Sequence, residues 1–327
     1  MENTLALRIF KTFVGIVGIL GNGLVCVVIG KVSEMQTRTN AFIFHQAVVD
    51  LLGSTLILLQ SEASLPDPVP DNALGWVVCS LWVSNFATFL LYVISTFNLL
   101  SLTMERYVAI VHPFKYQTAF AKHPRLKVGA VIAVCWMVAI VIKCYNLTLF
   151  KVEGGSCVSS AEYRSKVLGI LIAFLQFVMP VAVMLFAYIR ISVELKQGAA
   201  RVGPAPAAVG PATTADASQP AGMMESLLRA RRNTFKMLLI VFVTFLVCWT
   251  PNQVIFLLFN LGWKLQFNEW FYLLSVGMVA SNCCVNPVIY AFKYRQFRKG
   301  LRETFCCRRE HREESSRAIT MNCSNNS

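Results

Sequence analysis

Residues 268–292 read NEWFYLLSVGMVASNCCVNPVIYAF. A helix of about 20 apolar residues, rising about 1.5 Å per residue, crosses the hydrocarbon of a bilayer, so this stretch is long enough to span. Yet it carries Asn282, Asn286 and Pro287 in its interior. Polar groups at that depth are expensive and functional by default. A proline there removes one backbone hydrogen bond and permits a kink. Working outward, six more apolar stretches of similar length lie near 9–30, 40–61, 80–105, 127–148, 167–190 and 235–260. Each is expected to be helical, because lipid offers no partner to backbone N–H and C=O groups. After the last span, FKYRQFRKGLRETF (292–305) has the amphipathic pattern of a helix lying on a membrane surface. The reading is an all-α membrane protein, a seven-transmembrane helix bundle with a short amphipathic eighth helix.

Composition agrees. The 327 residues are 56% hydrophobic and 14% charged, against about 25% charged in a soluble domain. The net charge of +13 does not point to nucleic acid, because the basic residues fall between apolar runs and in the tail and form no stripe. Their placement sets orientation instead. With the N-terminus outside, 23 of the 30 Lys and Arg lie in inner segments. The expected localisation is therefore the plasma membrane, multi-pass, with an extracellular N-terminus and a cytoplasmic C-terminus. The first span, with no small-residue cleavage site, reads as an uncleaved signal anchor. Residues 1–8 are expected to form a short extracellular N-terminus, 9–305 the seven-helix domain and 306–327 a cytoplasmic tail. Within the bundle, the Pro-, Gly- and Ala-rich stretch at about 197–224 reads as a disordered inner linker. So short an N-terminus leaves a ligand only the helices and outer loops to bind.

Polar and proline residues recur at depth: Asn22 in GNGLV, Asp50 in HQAVVDLL, Glu105-Arg106-Tyr107 closing the third span, Pro180 in the fifth, and Trp249 and Pro251 within CWTP in the sixth. A lone carboxylate such as Asp50 in low dielectric must bind a cation, find a partner or take a proton. Gly15, Gly18 and Gly21 recur along the first helix and suggest close packing. The four histidines are widely separated and show no metal spacing. There is no phosphate loop, nucleophile elbow or metalloprotease helix, so an enzyme is not expected. Without a visible internal repeat, a transporter built on inverted repeats is a weak alternative.

Taken in order, Asn22, Asp50, Glu105-Arg106-Tyr107, Trp136, Pro180, Cys248-Trp249-Thr250-Pro251 and Asn286-Pro287-Val288-Ile289-Tyr290 resemble the landmarks of the rhodopsin-like (class A) G-protein-coupled receptors. The match covers residues 10–307, one landmark per span. That resemblance implies an extracellular ligand, a heterotrimeric G-protein, and arrestin recruited by a phosphorylated tail. It implies a sodium pocket of Asp50, Ser95, Trp249, Asn282 and Asn286, with allosteric sodium and no other cofactor. It further implies an activation switch in which Arg106 leaves Glu105 and meets Tyr188 and Tyr290, alongside Tyr107, Pro180, Phe245, Trp249, Pro251, Asn286 and Pro287. By the same resemblance Cys79 and Cys157 form a bridge on the oxidising outer side. Cys306 and Cys307, just after the amphipathic run, are candidates for palmitoylation. Asn146-Leu147-Thr148 is an outer glycosylation sequon, but Asn146 sits so close to a helix end that its use is doubtful.

Several positions depart from the family. Cys79 to Arg106 spans 27 residues, two more than usual, so the third helix is expected to start late or carry a bulge. Gln46 stands at a normally apolar position, and Thr96 replaces the isoleucine usually packed with Pro180 and Phe245. Amine receptors carry an aspartate on the outer third helix, and this chain has Thr88 there; Ala280 stands where opsins carry their lysine. Candidate ligand contacts are Gln60, Glu62, Thr88, Lys143, Gln176, Asn252, Gln253 and Tyr272, a set suited to a peptide's backbone and termini. Asn252-Gln253 directly after CWTP looks like neuropeptide receptors of the galanin and allatostatin kind. The alternative ligand is a small molecule or biogenic amine.

Overall fold

The computed structural model describes residues 2–63, 67–148, 150–159, 166–202, 219–263 and 269–305. Among these, seven helical segments are long and apolar enough to cross a membrane: Leu5–Lys31, Arg38–Glu62, Phe86–Val111, Pro124–Thr148, Lys166–Gly198, Arg229–Asn260 and Trp270–Lys293. The chain is a multi-pass membrane protein. Its elements are α1 (Glu2–Lys31), α2 (Arg38–Glu62), α3 (Ala73–Val77), α4 (Phe86–Val111), α5 (Pro113–Ala119), α6 (Pro124–Lys143), a hairpin of β1 (Phe150–Glu153) and β2 (Ser156–Ser159), α7 (Lys166–Ala173), α8 (Met179–Val202), α9 (Gln219–Asn260), α10 (Trp270–Lys293) and α11 (295–305). Helix continues to Val202 and resumes at Gln219, so both ends of the linker expected at 197–224 are helical; residues 203–218 lie outside the described residues.

The bundle is arranged around α4, which packs against α2, α6, α8 and α9, while α1 rests on α2 and α10. A bilayer needs no polar exterior, and α6 accordingly leaves Val134, Met137 and Val141 exposed. Small residues bring α1 close to its neighbours, as the glycine pattern suggested. A Cβ at Gly18 would collide with the Ser54 hydroxyl, and one at Gly21 would stand 3.0 Å from the Pro287 ring. Capping is sparse but specific: the Thr37 side chain accepts from the Asn40 N–H at 3.2 Å to start α2.

The two extra residues before Arg106 are absorbed outside α4. Residues 78–83 form a π turn, and Asn85 then takes a left-handed conformation with φ 54°. Asparagine tolerates that region better than most residues. The third span therefore begins as helix at Phe86, not at residue 80, and Cys79 lies in the π turn ahead of it. A second π turn, Phe174–Val178, joins α7 to α8. It precedes Pro180, which has no N–H to offer the Gln176 carbonyl.

One small β element interrupts the all-α plan. β1 and β2 pair antiparallel through Gly154 and Gly155, both at positive φ; two such residues make the tight turn whose twist suits a hairpin. The hairpin is fastened in place by a Cys79–Cys157 disulfide across 5.4 Å between Cα atoms and by the Val69 N–H donating to the Gly155 carbonyl at 2.7 Å. At the opposite end, α11 turns Phe297 and Gly300 inward and leaves Arg298, Lys299 and Arg302 exposed. Lys299 ion-pairs with Glu34 at 2.6 Å. Cys306 and Cys307 follow α11 and lie outside the described residues.

Because the disulfide ties the hairpin to the turn before α4, Cys79→Ala and Cys157→Ala should lower stability equally. Loss of a native disulfide typically costs about 2–5 kcal/mol. The double variant should melt no lower than either single one, and Cys283→Ala should leave the bridge intact. Additive losses in a thermal-melt series would contradict this.

Candidate functional site

Towards the hairpin end, the sequence-nominated polar residues are joined across helix seams. Between α4 and α2, Thr88 donates to Gln60 Oε1 at 3.0 Å. Between the π turn and α9, Gln176 Nε2 donates to Gln253 Oε1 at 3.2 Å, with both side chains buried. Between α9 and α10, Asn252 donates to the Ser275 hydroxyl at 3.3 Å, and Ser275 donates to the Tyr272 carbonyl at 2.8 Å. Gln176 Oε1 is left buried without a hydrogen-bond partner among the described residues. Glu62 is committed elsewhere: it ion-pairs with Arg8 at 2.6 Å and accepts from Thr12 at 2.6 Å, clasping α1 to α2. Lys143 is buried with its ammonium 5.3 Å from the centre of the Phe89 ring. Asn146 is buried, and a buried amide gives an oligosaccharide no foothold.

Below this layer Trp249 packs edge-on to Tyr92 at 5.4 Å and against Phe245 at 5.9 Å, and Phe245 meets Phe177 at 6.0 Å. The Trp249 indole N–H is buried and unpartnered among the described residues. Thr96 donates to the Tyr92 carbonyl at 3.1 Å and so stays within α4.

At mid-depth, Asp50 is 1% exposed. Its carboxylate accepts from Gln46 Nε2 at 3.1 and 3.2 Å, from Asn286 Nδ2 at 2.8 Å and from the Ser95 hydroxyl at 3.4 Å. Asn282 and Trp249 are buried near the same level of α10 and α9. The family's sodium pocket needs oxygens converging on a gap beside this carboxylate. Here the Gln46 amide nitrogen lies between Asp50 and Ser95 and bonds to both, so it offers a cation N–H groups where oxygens are required. The residues present do not fit a sodium ion in that position, because of one side chain that the family keeps apolar.

Pro287 creates a different demand. It has no N–H for the carbonyl of Cys283, one turn back. Asn22 of α1 supplies the missing donor, giving its Nδ2 to the Cys283 carbonyl at 2.7 Å and to the Gly18 carbonyl at 2.9 Å. The first and last spans thus share a bond that the proline makes necessary.

At the far end, Arg106 donates to both oxygens of Glu105 at 2.5 Å. Tyr116 of α5 donates to Glu105 Oε1 at 2.5 Å and Thr39 to Oε2 at 3.4 Å. Burial and the neighbouring carboxylate push the Tyr116 phenol above its ordinary range, which keeps it a donor. Arg38 lies over the Tyr116 and Phe120 rings, 5.1 Å from each centre. Tyr188 donates to the Leu238 carbonyl of α9 at 3.1 Å and stacks on Phe242 at 4.9 Å. Tyr290 is buried against Tyr294 and Phe297. Among the described residues Arg106 hydrogen-bonds Glu105 alone, and neither tyrosine has joined it.

Tyr92, Tyr116, Thr39, His45 and Asn98 were not singled out from sequence. Asn98 and His45 carried the same signal as Asp50, a polar group inside an apolar run. Tyr116 and Thr39 carried none, since each meets Glu105 only through the fold.

If Asn22 is what satisfies the carbonyl freed by Pro287, Asn22→Leu should cost about 1–3 kcal/mol through an unpaired buried acceptor. The loss would show as a lower Tm of the purified protein. An unchanged Tm would contradict the assignment.

Comparison with known proteins fits this geometry. The chain is 30% identical to galanin receptor 2b of Danio rerio over 306 residues, covering 89% of this chain and 72% of that one. It is 27% identical to the allatostatin-A receptor of Bombyx mori over 314 residues, 91% of this chain and 79% of the relative. With the histamine H2 receptor of Homo sapiens it shares 23% over 316 residues, 94% and 82% of the two chains. The family model for the 7 transmembrane receptor (rhodopsin family) matches residues 21–290, from Gly21 beside Asn22 through Tyr290. The chain belongs to the rhodopsin family of seven-transmembrane receptors.

Proposed function

We propose that this receptor is activated by a short extracellular peptide and passes the signal to a heterotrimeric G-protein at the Arg106 end. In this reading the N-terminus and the hairpin face outward, and α11 and the tail lie in the cytoplasm. That assignment follows the excess of Lys and Arg at the Arg106 end. The observation that carries the ligand class is the pair of unpartnered groups at the floor of the hairpin-end layer, an acceptor at Gln176 Oε1 and a donor at Trp249 Nε1. Gln253, bonded to Gln176, is one helical turn from Trp249, about 6 Å along α9. A peptide offers both N–H and C=O groups, the two kinds of partner that these atoms lack. An amine ligand instead needs a carboxylate. Phe86–Leu100 of α4 contains none, and Glu62 is held by Arg8. The galanin and allatostatin-A receptors among the relatives are neuropeptide receptors, which supports the same reading.

At the other end, Arg106 is poised for release, because one acid holds it and the two tyrosines that would receive it are already buried nearby. A cleft of about 840 Å³ between α9, α10 and α11 is lined by Arg229, Lys293, Arg295, Arg298, Lys299 and Arg302. Its positive lining suits an acidic partner surface. In the same reading arrestin engages the phosphorylated tail, and palmitoyl groups on Cys306 and Cys307 hold α11 to the bilayer.

A peptide library applied to cells expressing the receptor, read through several G-protein reporters, tests this. Hits should be short peptides of modest charge. Gln176→Ala and Gln253→Ala should each lose about 1–3 kcal/mol of agonist binding, which is roughly 5- to 150-fold in potency. Full activation by a simple biogenic amine at sub-micromolar concentration, with peptides inert, would overturn the proposal. So would peptide potency unchanged in both variants.

A further inference from the structure

The amide of Gln46 is held at Asp50 by a chain of hydrogen bonds whose direction is fixed at two places. At one end, the Trp136 indole, which can only donate, gives its N–H to His45 Nε2 at 3.0 Å. His45 must therefore accept at Nε2 and carry its proton on Nδ1, which lies 2.9 Å from Asn98 Oδ1. That places the Asn98 NH₂ on the other side. There it donates to Gln46 Oε1 at 2.8 Å and to the Phe42 carbonyl at 3.0 Å. A backbone carbonyl can only accept, so Phe42 fixes Asn98 independently of the tryptophan. With Oε1 facing Asn98, the Gln46 NH₂ must face Asp50 and Ser95. Turning any one amide over would oppose two donors or two acceptors in a dry interior, an arrangement that costs full desolvation of both.

The chain is enclosed. Gln46 and Ser95 are each 5% exposed, Asp50 is 1% and Asn98 is fully buried. Gln46 therefore cannot vacate its place without stranding Asn98 Nδ2 and the Asp50 carboxylate. Counting Asn286 and Ser95, the carboxylate receives donors from three helices. These donors satisfy its lone pairs, and the position between Asp50 and Ser95 is already filled.

We propose that the Gln46 amide, held in orientation by Trp136, His45 and Asn98, serves as a built-in replacement for the sodium ion at Asp50, so that this receptor's mid-membrane site is closed to sodium. The coupling that other members of the fold leave to an ion is here carried by covalent sequence. It is independent of extracellular salt.

The test uses purified full-length receptor, with Tm followed by tryptophan fluorescence as NaCl is exchanged for KCl at matched ionic strength. An ion that binds only the folded state raises Tm by an amount that grows with the logarithm of one plus its concentration over Kd. Wild type and Asp50→Asn should be indifferent to the exchange. Gln46→Leu, which restores an apolar side chain at that position, should gain a sodium-specific rise of at least about 2 °C, and adding Asp50→Asn to it should abolish the gain. Should Gln46→Leu fail to fold, Gln46→Met takes its place. Two results would overturn the proposal: a sodium-specific rise in wild type that disappears in Asp50→Asn, or a folded Gln46 variant that remains indifferent to sodium. Because the readout is thermal, it stands whether or not the agonist is a peptide.

Discussion

Hydrocarbon neither donates nor accepts a hydrogen bond, and every polar group inside this bundle has to be read against that constraint. In water an unsatisfied carbonyl or carboxylate costs little. Between helices in lipid it costs kilocalories. The polar residues therefore dictate which helices must touch. Pro287 frees a carbonyl in α10, and Asn22 answers it from α1. Asp50 of α2 is answered by Ser95 of α4 and Asn286 of α10. Apolar packing fills the space between these contacts, and the Gly18 and Gly21 approaches let α1 come close enough to make them. Leucine contacts alone would not single out this arrangement, since lipid chains are as apolar as the helices they surround.

The same constraint bears on the activation proposed above. A buried charge must keep a partner, but nothing requires it to keep the same one. Arg106 is held by Glu105, which is itself steadied by Tyr116 and Thr39. Tyr188 spends its hydroxyl on the Leu238 carbonyl of α9. Movement of α9 away from α8 would break that bond and leave the Tyr188 hydroxyl with Thr103 of α4, 3.2 Å away. Trp249 and Phe245 sit on the same helix, one and two turns below the Gln253 layer; Trp249 touches Tyr92 of α4, and Phe245 packs on Trp249. In the proposed function, ligand contact at one end of α9 and release of Tyr188 at the other would be displacements of a single element. A differential contact at each end is what coupling requires.

Much of this was legible in the sequence, for identifiable reasons. The seven spans follow from composition, because a membrane helix must be apolar for its whole length. The importance of Asn22, Asp50 and Pro287 follows from their cost at depth. The irregular start of α4 follows from two extra residues between Cys79 and Arg106. The remainder depended on pairings that the sequence does not encode locally. Gln46 was visible as an anomaly, but its partners Ser95 and Asn98 lie 49 and 52 residues away, and nothing at residue 46 names them. The sodium pocket expected from the resemblance has its oxygen-bearing residues present, and the Gln46 amide, a neighbour outside the motif, stands between two of them, Asp50 and Ser95. The hairpin was marked by Gly154-Gly155 between two valines, a short signal easily lost beside seven long ones. That Glu62 would be claimed by Arg8, 54 residues earlier, required the packing of α1 on α2.

The direction of the hydrogen-bond chain that begins at Trp136 is reported by the protonated nitrogen of His45. Nitrogen NMR of the receptor labelled at histidine, with the signal assigned by its loss in His45→Asn, distinguishes the two ring nitrogens. The structure requires a neutral ring with the proton on Nδ1 and an unprotonated, hydrogen-bonded Nε2. A proton on Nε2 would oppose the Trp136 N–H, set the Nδ1 lone pair against Asn98 Oδ1 and contradict the direction of the chain at its Trp136 end.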